Sequence, residues 1–411
     1  MGNYQTFSFF KVSDSSDYGY NYKKANSSNL YQEMDGEESY QRLTSKQTTS
    51  IINIDLNHKF SKIFSLDAGY KNTFNNYNFL FETQNDQNNS NKDVRNLLYT
   101  YLNFTPEGKL KSKLGLAVEN DRLKTNEQTN INYSFQPYFS MHYSFNNDLN
   151  ISLNLKSNSH YPNADQLNPH PITIDRYSRY SGNPNLNFST KYTGSLTFSL
   201  LKNQLTIEPF YDYTKNHISK TGNTMFDYYS YSYSNMDRYE SFGVQMGLRL
   251  PLIAKKLIFN ITASLYNEKI KFNNKTSDIN DYTVNSNLVY LSSQYKTLYA
   301  LTLKKMNAKQ IQAYGYYEND NDYLGVIVKQ PFFKKKLDVT LLYLLPMDFG
   351  LDHEIRSYYS HDHYRELSTT NTNVLKNLLM IKVSVNLNKG KALKRIEKND
   401  YKECDGAEGF L

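Results

Sequence analysis

Apolar residues recur at every second position along most of this chain. Ile52, Ile54 and Leu56 alternate with Asn53, Asp55 and Asn57, and Phe64, Leu66, Ala68 and Tyr70 alternate with Ser65, Asp67, Gly69 and Lys71. The same alternation runs through Leu110 to Val118, Leu149 to Leu155, Val244 to Leu250, Leu257 to Leu265 and Leu337 to Leu345. It is cleanest in Leu379, Ile381, Val383, Val385 and Leu387, set against Lys382, Ser384, Asn386 and Asn388. Alternation of this kind places each apolar series on one face of a β-strand. No stretch of comparable length carries a helical period. Nor does any apolar run approach the roughly 18 residues of a membrane-crossing helix.

The connections fall into two kinds. Short ones lie near Lys59 to Lys62, Thr105 to Lys109, Asn146 to Asp148, Lys202 to Gln204, Ile253 to Lys256, Tyr295 to Thr297 and Phe333 to Lys336. Long polar ones, at 13–47, 72–95, 120–131, 158–189, 214–239, 268–282, 307–321 and 347–373, alternate with them. Tight turns at one end and long loops at the other are the signature of an outer-membrane β-barrel. The turns predict an all-β, antiparallel transmembrane barrel of about sixteen strands over 1–388, each strand about 9–13 residues long, starting near Tyr4 to Val12. A polar tail follows at 389–411. The apolar series then faces outer-membrane lipid and the polar series faces the interior.

Composition explains why so polar a chain can still be all strand. Mean hydropathy is −0.70, yet there are 38 Tyr and 23 Phe among the 411 residues. A disordered chain is poor in aromatic and β-branched residues, whereas strands that alternate polar and apolar positions average out polar. The net charge of +7 is dispersed in small clusters such as Lys334-Lys335-Lys336, so no stripe for nucleic acid forms. A single cysteine, Cys404, excludes an intrachain disulfide.

The segment Tyr161-Pro162, then Gln166-Leu167-Asn168-Pro169 and Gly182-Asn183-Pro184-Asn185-Leu186, resembles the barrel region of TonB-dependent outer-membrane receptors. It is most similar to the outer membrane protein beta-barrel family. The order downstream agrees with that family: Glu240 to Leu250, Lys256 to Tyr266, the turn and strand Phe332 to Tyr343, and a final alternating strand before a basic tail. The resemblance covers most of the chain from about residue 130. It implies energy-coupled import of a scarce ligand through a barrel of about 22 strands that holds an N-terminal plug. Three features depart from it: no signal peptide, no plug or coupling box, and about six strands too few. The chain is therefore expected to be an N-terminally truncated receptor barrel, needing a supplied plug to engage a periplasmic energy-coupling protein. A plugless, porin-like passive channel and an adhesin-like surface barrel are the alternative readings.

No nucleophile elbow or comparable catalytic motif occurs, so no catalytic residues and no cofactor are expected. The run Tyr228-Tyr229-Ser230-Tyr231-Ser232-Tyr233 puts Tyr228, Tyr229, Tyr231 and Tyr233 forward as contacts for a small ligand: siderophore, glycan or peptide. Tyrosine offers a large contact area and a polar tip at low entropic cost. Extension of the strands above the membrane accounts for the same run. His361 and His363 are weak metal candidates, since imidazoles two positions apart project to one side of an extended segment. Asn319 to Asp322 is oxygen-rich but lacks the glycine and distal glutamate of a calcium loop.

Overall fold

The computed structural model describes residues 3–12, 16–32, 40–82, 87–125, 129–175, 178–225, 228–253, 256–306, 309–319, 322–333, 336–345, 354–361, 364–371 and 377–385. The tail expected at 389–411 lies outside them. Eight strands come first: β1 (Asn3–Val12), β2 (Ser16–Gln32), β3 (Tyr40–Lys59), β4 (Phe64–Glu82), β5 (Gln87–Phe104), β6 (Leu110–Lys124), β7 (Thr129–Ser144) and β8 (Leu149–His160). A one-turn helix α1 (Ala164–Leu167) and the short strands β9 (Ile172–Asp175) and β10 (Ser178–Tyr180) precede β11 (Ser189–Leu200) and β12 (Leu205–Lys215). Then come β13 (Ile218–Thr224), β14 (Tyr229–Asn235), β15 (Arg238–Ile253), β16 (Leu257–Phe272), β17 (Lys275–Leu291) and β18 (Leu298–Met306). The last are β19 (Lys309–Gln312), β20 (Gly315–Asn319), β21 (Tyr323–Phe332), β22 (Leu337–Leu344), β23 (Glu354–His361), β24 (Tyr364–Asn371) and β25 (Leu379–Val385).

One antiparallel sheet of 17 strands carries the fold. Its neighbours follow chain order, from β1 through β8, then β11, β12, β15 to β18, β21, β22 and β25. Among the described residues β1 pairs only with β2, and β25 only with β22. The sheet holds one strand more than the sixteen expected, because the connection expected at 13–47 contains β2. Tyr18, Tyr20 and Tyr22 alternate there with Gly19, Asn21 and Lys23, a polar series that hydropathy alone passes over.

Strand height is the second difference. β3, β4 and β5 run for 20, 19 and 18 residues, so the loop expected at 72–95 is a tall hairpin. Its backbone ladder continues from Lys71↔Leu97 to Phe81↔Gln87 after the apolar alternation has given way to asparagine and threonine. Extended backbone needs a paired neighbour, and it does not need an apolar face once water replaces lipid.

The two faces of the sheet separate cleanly. Leu98, Leu114, Phe135 and Leu265 stand exposed on the outer face, at 63%, 59%, 58% and 65%. On the inner face Leu97, Tyr99, Tyr101 and Ala117 form a buried cluster with Tyr138 against it. The tyrosine rings lie down over glycines: a Cβ on Gly69 would meet Tyr99 Oη at 2.3 Å, and one on Gly115 would meet Tyr101 Cδ1 at 2.1 Å. Lys113 Nζ then sits 4.2 Å from the centre of the Tyr101 ring. No helix among the described residues is long and apolar enough to cross a membrane.

Leu98 is midway along the apolar stretch of β5. Leu98→Arg is expected to destabilise the folded protein in phospholipid vesicles by ~2–4 kcal/mol, read by urea titration. Ser140→Arg, on the inner face of β7, should cost less than half as much.

Candidate ligand-binding mouth

Four of the long connections fold into structure of their own above the sheet. One four-stranded sheet has the order β13-β14-β10-β9 and another the order β19-β20-β23-β24. The motif segment between β8 and β11 clamps the first of these. Asn163 caps α1 in a capping box with Gln166, Gly182 N donates to Asn168 O at 2.6 Å, and Asn183 N donates to Gln166 O at 2.6 Å. The two halves of the motif therefore bind each other. Gly182 is required by close approach, since a Cβ there would lie 2.5 Å from Asp165 O.

The clamp then holds the β13–β14 hairpin. Asn183 Nδ2 donates to Tyr233 O at 2.9 Å, and Asn235 Nδ2 donates to Asn187 O and Asn216 O, both at 2.8 Å. Leu167 and Leu186 pack onto Leu123 of β6, with Ile218 and Tyr233 alongside. Leu123 is on the inner face, so the segment is drawn inward across the mouth of the sheet. Tyr161 adds a second tie: the Arg95 guanidinium lies 3.4 Å from the centre of its ring.

Carboxylates of the large sheet fasten the second small sheet. Asp281 accepts from Lys309 N at 2.6 Å, and Glu268 accepts from Tyr239 Oη at 2.8 Å and Ile311 N at 3.4 Å. Met236, Ile270, Ile311 and Ala313 bury together beneath them. The two small sheets meet where Ala313 N donates to Ser219 Oγ at 3.2 Å and where Tyr229 Oη donates to Tyr359 Oη.

The tyrosine run is thereby divided. Tyr229 and Tyr231 are each 1% exposed and form a buried cluster with Tyr359, against which Tyr180 and Tyr314 pack. Lys220 Nζ lies 3.8 Å from the centre of the Tyr231 ring. Tyr233 is half-buried against Tyr180. Tyr228 is half-buried beneath the exposed Arg179, whose guanidinium is 4.0 Å from its ring centre. Sequence reasoning missed Arg179, Tyr180, Tyr314 and Tyr359, which are far from the run in sequence and carry no motif. Of the metal candidates, His363 lies outside the described residues, and His361 pairs through its backbone with Tyr364 at the end of β23. Asp322 of the oxygen-rich stretch is 1% exposed and bound to Lys305 Nζ at 3.3 Å. A shallow cleft at the turn end of the inner face is lined by Asn103, Lys111, Lys113, His142 and Asn154.

His217, between β12 and β13, stacks on Tyr239 with ring centres 4.5 Å apart. Burial pushes its pKa down to about 4, and the nearby His160 and Lys191 push the same way.

Comparison with known proteins places this architecture. The model of the outer membrane protein beta-barrel family matches residues 7–344. The FrpB iron transporter of Neisseria meningitidis is 10% identical, with a TM-score of 0.54 over 89% of this chain and 63% of its own. The ferric yersiniabactin uptake receptor FyuA of Yersinia pestis is 9% identical, with a TM-score of 0.58 over 93% of this chain and 61% of its own. The copper transporter OprC is 8% identical, with a TM-score of 0.65 over 84% of this chain and 59% of its own. The chain thus spans about three fifths of the length of these structures. No curated protein matches it.

Two outcomes follow for the mouth. Tyr359→Ala empties the ring cluster, and loss of a buried aromatic costs about 3–5 kcal/mol locally. Amide exchange at 229–235 should accelerate accordingly while exchange in β4 and β5 stays unchanged. The folded mouth also favours neutral His217, so this stabilisation is complete above the ordinary histidine pKa and falls away as pH drops from about 6.5 toward 4. Protease sensitivity at 214–239 should rise over that window, and His217→Phe, which keeps the stacking, should remove the pH dependence.

Proposed function

From the premise that this chain belongs to the outer membrane protein beta-barrel family, we propose that it acts as a receptor-type barrel of the outer membrane. In this reading it captures a scarce small ligand at its folded mouth and admits it to the interior in an energy-coupled, TonB-dependent step. The packed loop assembly carries the proposal. A passive pore gains nothing from a motif clamp, carboxylate anchors and an aromatic latch drawn across its opening, whereas a receptor needs a shaped surface there. The polar and basic inner face, with Lys111, Lys113 and His142, suits contact with a plug that a periplasmic energy-coupling protein could act on.

Within that mouth Tyr229 and Tyr231 hold the loops together, and Tyr228 and Tyr233, with Arg179, supply the contact surface. The guanidinium on an aromatic face and the lysines below favour an anionic ligand of the siderophore-chelate kind over a neutral glycan or a peptide. Of the solved structures above, FyuA is a ferric yersiniabactin uptake receptor, which is in keeping with this choice.

The full chain, folded in detergent, should bind a ferric catecholate or ferric hydroxamate chelate, seen as quenching of its tyrosine emission. Arg179→Ala should weaken that binding about tenfold with the β-sheet spectrum unchanged. A steady large conductance in planar bilayers without chelate binding would instead establish the passive channel. Adhesion to a surface partner with neither would establish the adhesin-like reading.

A further inference from the structure

The outward face of the wall carries a charge pattern that ligand capture at the mouth does not use. Lys92 of β5 and Arg122 and Lys124 of β6 are exposed, whereas their chain neighbours Asn91, Asp93, Asp121 and Leu123 are buried on the inner face. Alternation therefore sets the three cations on the same side as Leu98 and Val118, which are exposed at 63% and 45%. The register brings them together. Lys92 stands directly opposite Lys124, which puts their Cβ atoms about 5 Å apart, and Arg122 is two residues, or about 7 Å, along β6.

Height and sign both single this cluster out. Ile131, Tyr133 and Phe135 of β7 are exposed on the outward face, and Arg122 lies opposite Ile131, the uppermost of them. Lys92 and Lys124 are one side-chain repeat higher, toward the end from which the long connections leave. The cations thus sit where the apolar wall ends, on the side that faces out of the cell. At the short-turn end, the outward positions of the same strands hold Phe104, Leu110 and Tyr143. The carboxylates of β5, β6 and β7 are Asp93, Glu119 and Asp121, and all three are buried on the inner face. On the β15–β16 part of the wall, by contrast, the protein neutralises its outward cations itself: Arg238 pairs with Glu240, and Lys269 faces Glu240 across the ladder.

We propose that Lys92, Arg122 and Lys124 bind the phosphate-bearing head group of an outer-leaflet glycolipid. Like charges directly opposite on a sheet repel, and a phosphate between them turns that repulsion into attraction. The guanidinium takes two phosphate oxygens in its fork, and each ammonium adds a charge-assisted hydrogen bond. The long stems of all three side chains let the charged ends converge above the apolar wall. Asn76, opposite Lys92 on β4, adds an amide of the kind that hydrogen-bonds a sugar hydroxyl. Continuity with the apolar surface favours a lipid over a free anion, since acyl chains descending from the phosphate meet Ile131, Phe135, Val118 and Leu98. Bound there, the lipid fixes the tall β5–β6 hairpin at its height in the membrane.

The test uses the full chain folded in detergent and titrated with diphosphoryl lipid A, with retained lipid counted by native mass spectrometry. Expected are saturable retention of one lipid per chain and loss of retention when enzymatically dephosphorylated lipid A is used instead. The double variant Lys92→Gln with Lys124→Gln should weaken binding about tenfold or more. Lys92→Arg with Lys124→Arg should retain it, and Lys62→Gln, in the exposed β3–β4 turn at the other end of the wall, should change nothing. Heat-modifiable electrophoretic mobility reports that each variant is folded. Equal retention by the glutamine variant, or equal retention of the dephosphorylated lipid, overturns the site and leaves only non-specific lipid on the apolar wall. Displacement of the lipid by inorganic phosphate alone also overturns it, in favour of a free-anion site.

Discussion

In the hydrocarbon of a bilayer no water is available to a peptide group, so every backbone N–H and C=O must find its partner within the protein. The architecture of this chain follows from that requirement. Antiparallel neighbours along the sheet satisfy it, and the period-two side-chain pattern follows from the pleat that such pairing imposes. Because one face of each strand meets lipid, the apolar residues that would fill the core of a soluble protein are turned outward. Leu98 and Leu265 stand exposed at 63% and 65% for that reason. The inner face is left to asparagine, tyrosine and charge.

How much of this could be read in advance depended on which physical signal an element carried. Strands with an apolar series, such as Leu257 to Leu265 and Leu379 to Val385, were legible because lipid selects their outer residues. β2 was not, because its series is tyrosine set against polar residues, nor were the upper halves of β4 and β5, since water above the membrane removes that selection while backbone pairing continues. Their asparagines and threonines look like loop and form ladder. Compactness of the small sheets was hidden for a different reason. Their cores join residues from separate hairpins, and no local pattern in 214–239 announces Tyr180 or Tyr359.

The mouth shows the same division. The run at Tyr228 to Tyr233 stood out by composition, yet its members have different surroundings. Tyr229 and Tyr231 point into the cluster, and the glycine opposite Tyr231, Gly222, leaves room for the Tyr229 ring, 2.5 Å from where a Cβ would stand. Tyr228 precedes the strand and meets Arg179. The motif residues Gln166, Asn168, Gly182 and Asn183 close one long loop on itself, and Asn183 then joins it to the next. The iron and copper transporters, at about a tenth identity, share the fold.

The latch between Tyr229 and Tyr359 spans 130 residues of sequence. Contacts that distant form late, because the loop between them must first be ordered. Here that loop includes β15 to β22, strands that must already be paired before β23 is brought above them. Closure of the mouth is therefore a record of assembly: an immature sheet, still short of its final hairpin, presents Tyr229 and Tyr231 without their partner. Any factor that recognises exposed aromatic strand during membrane insertion would find its signal in that cluster and lose it when the last hairpin docks.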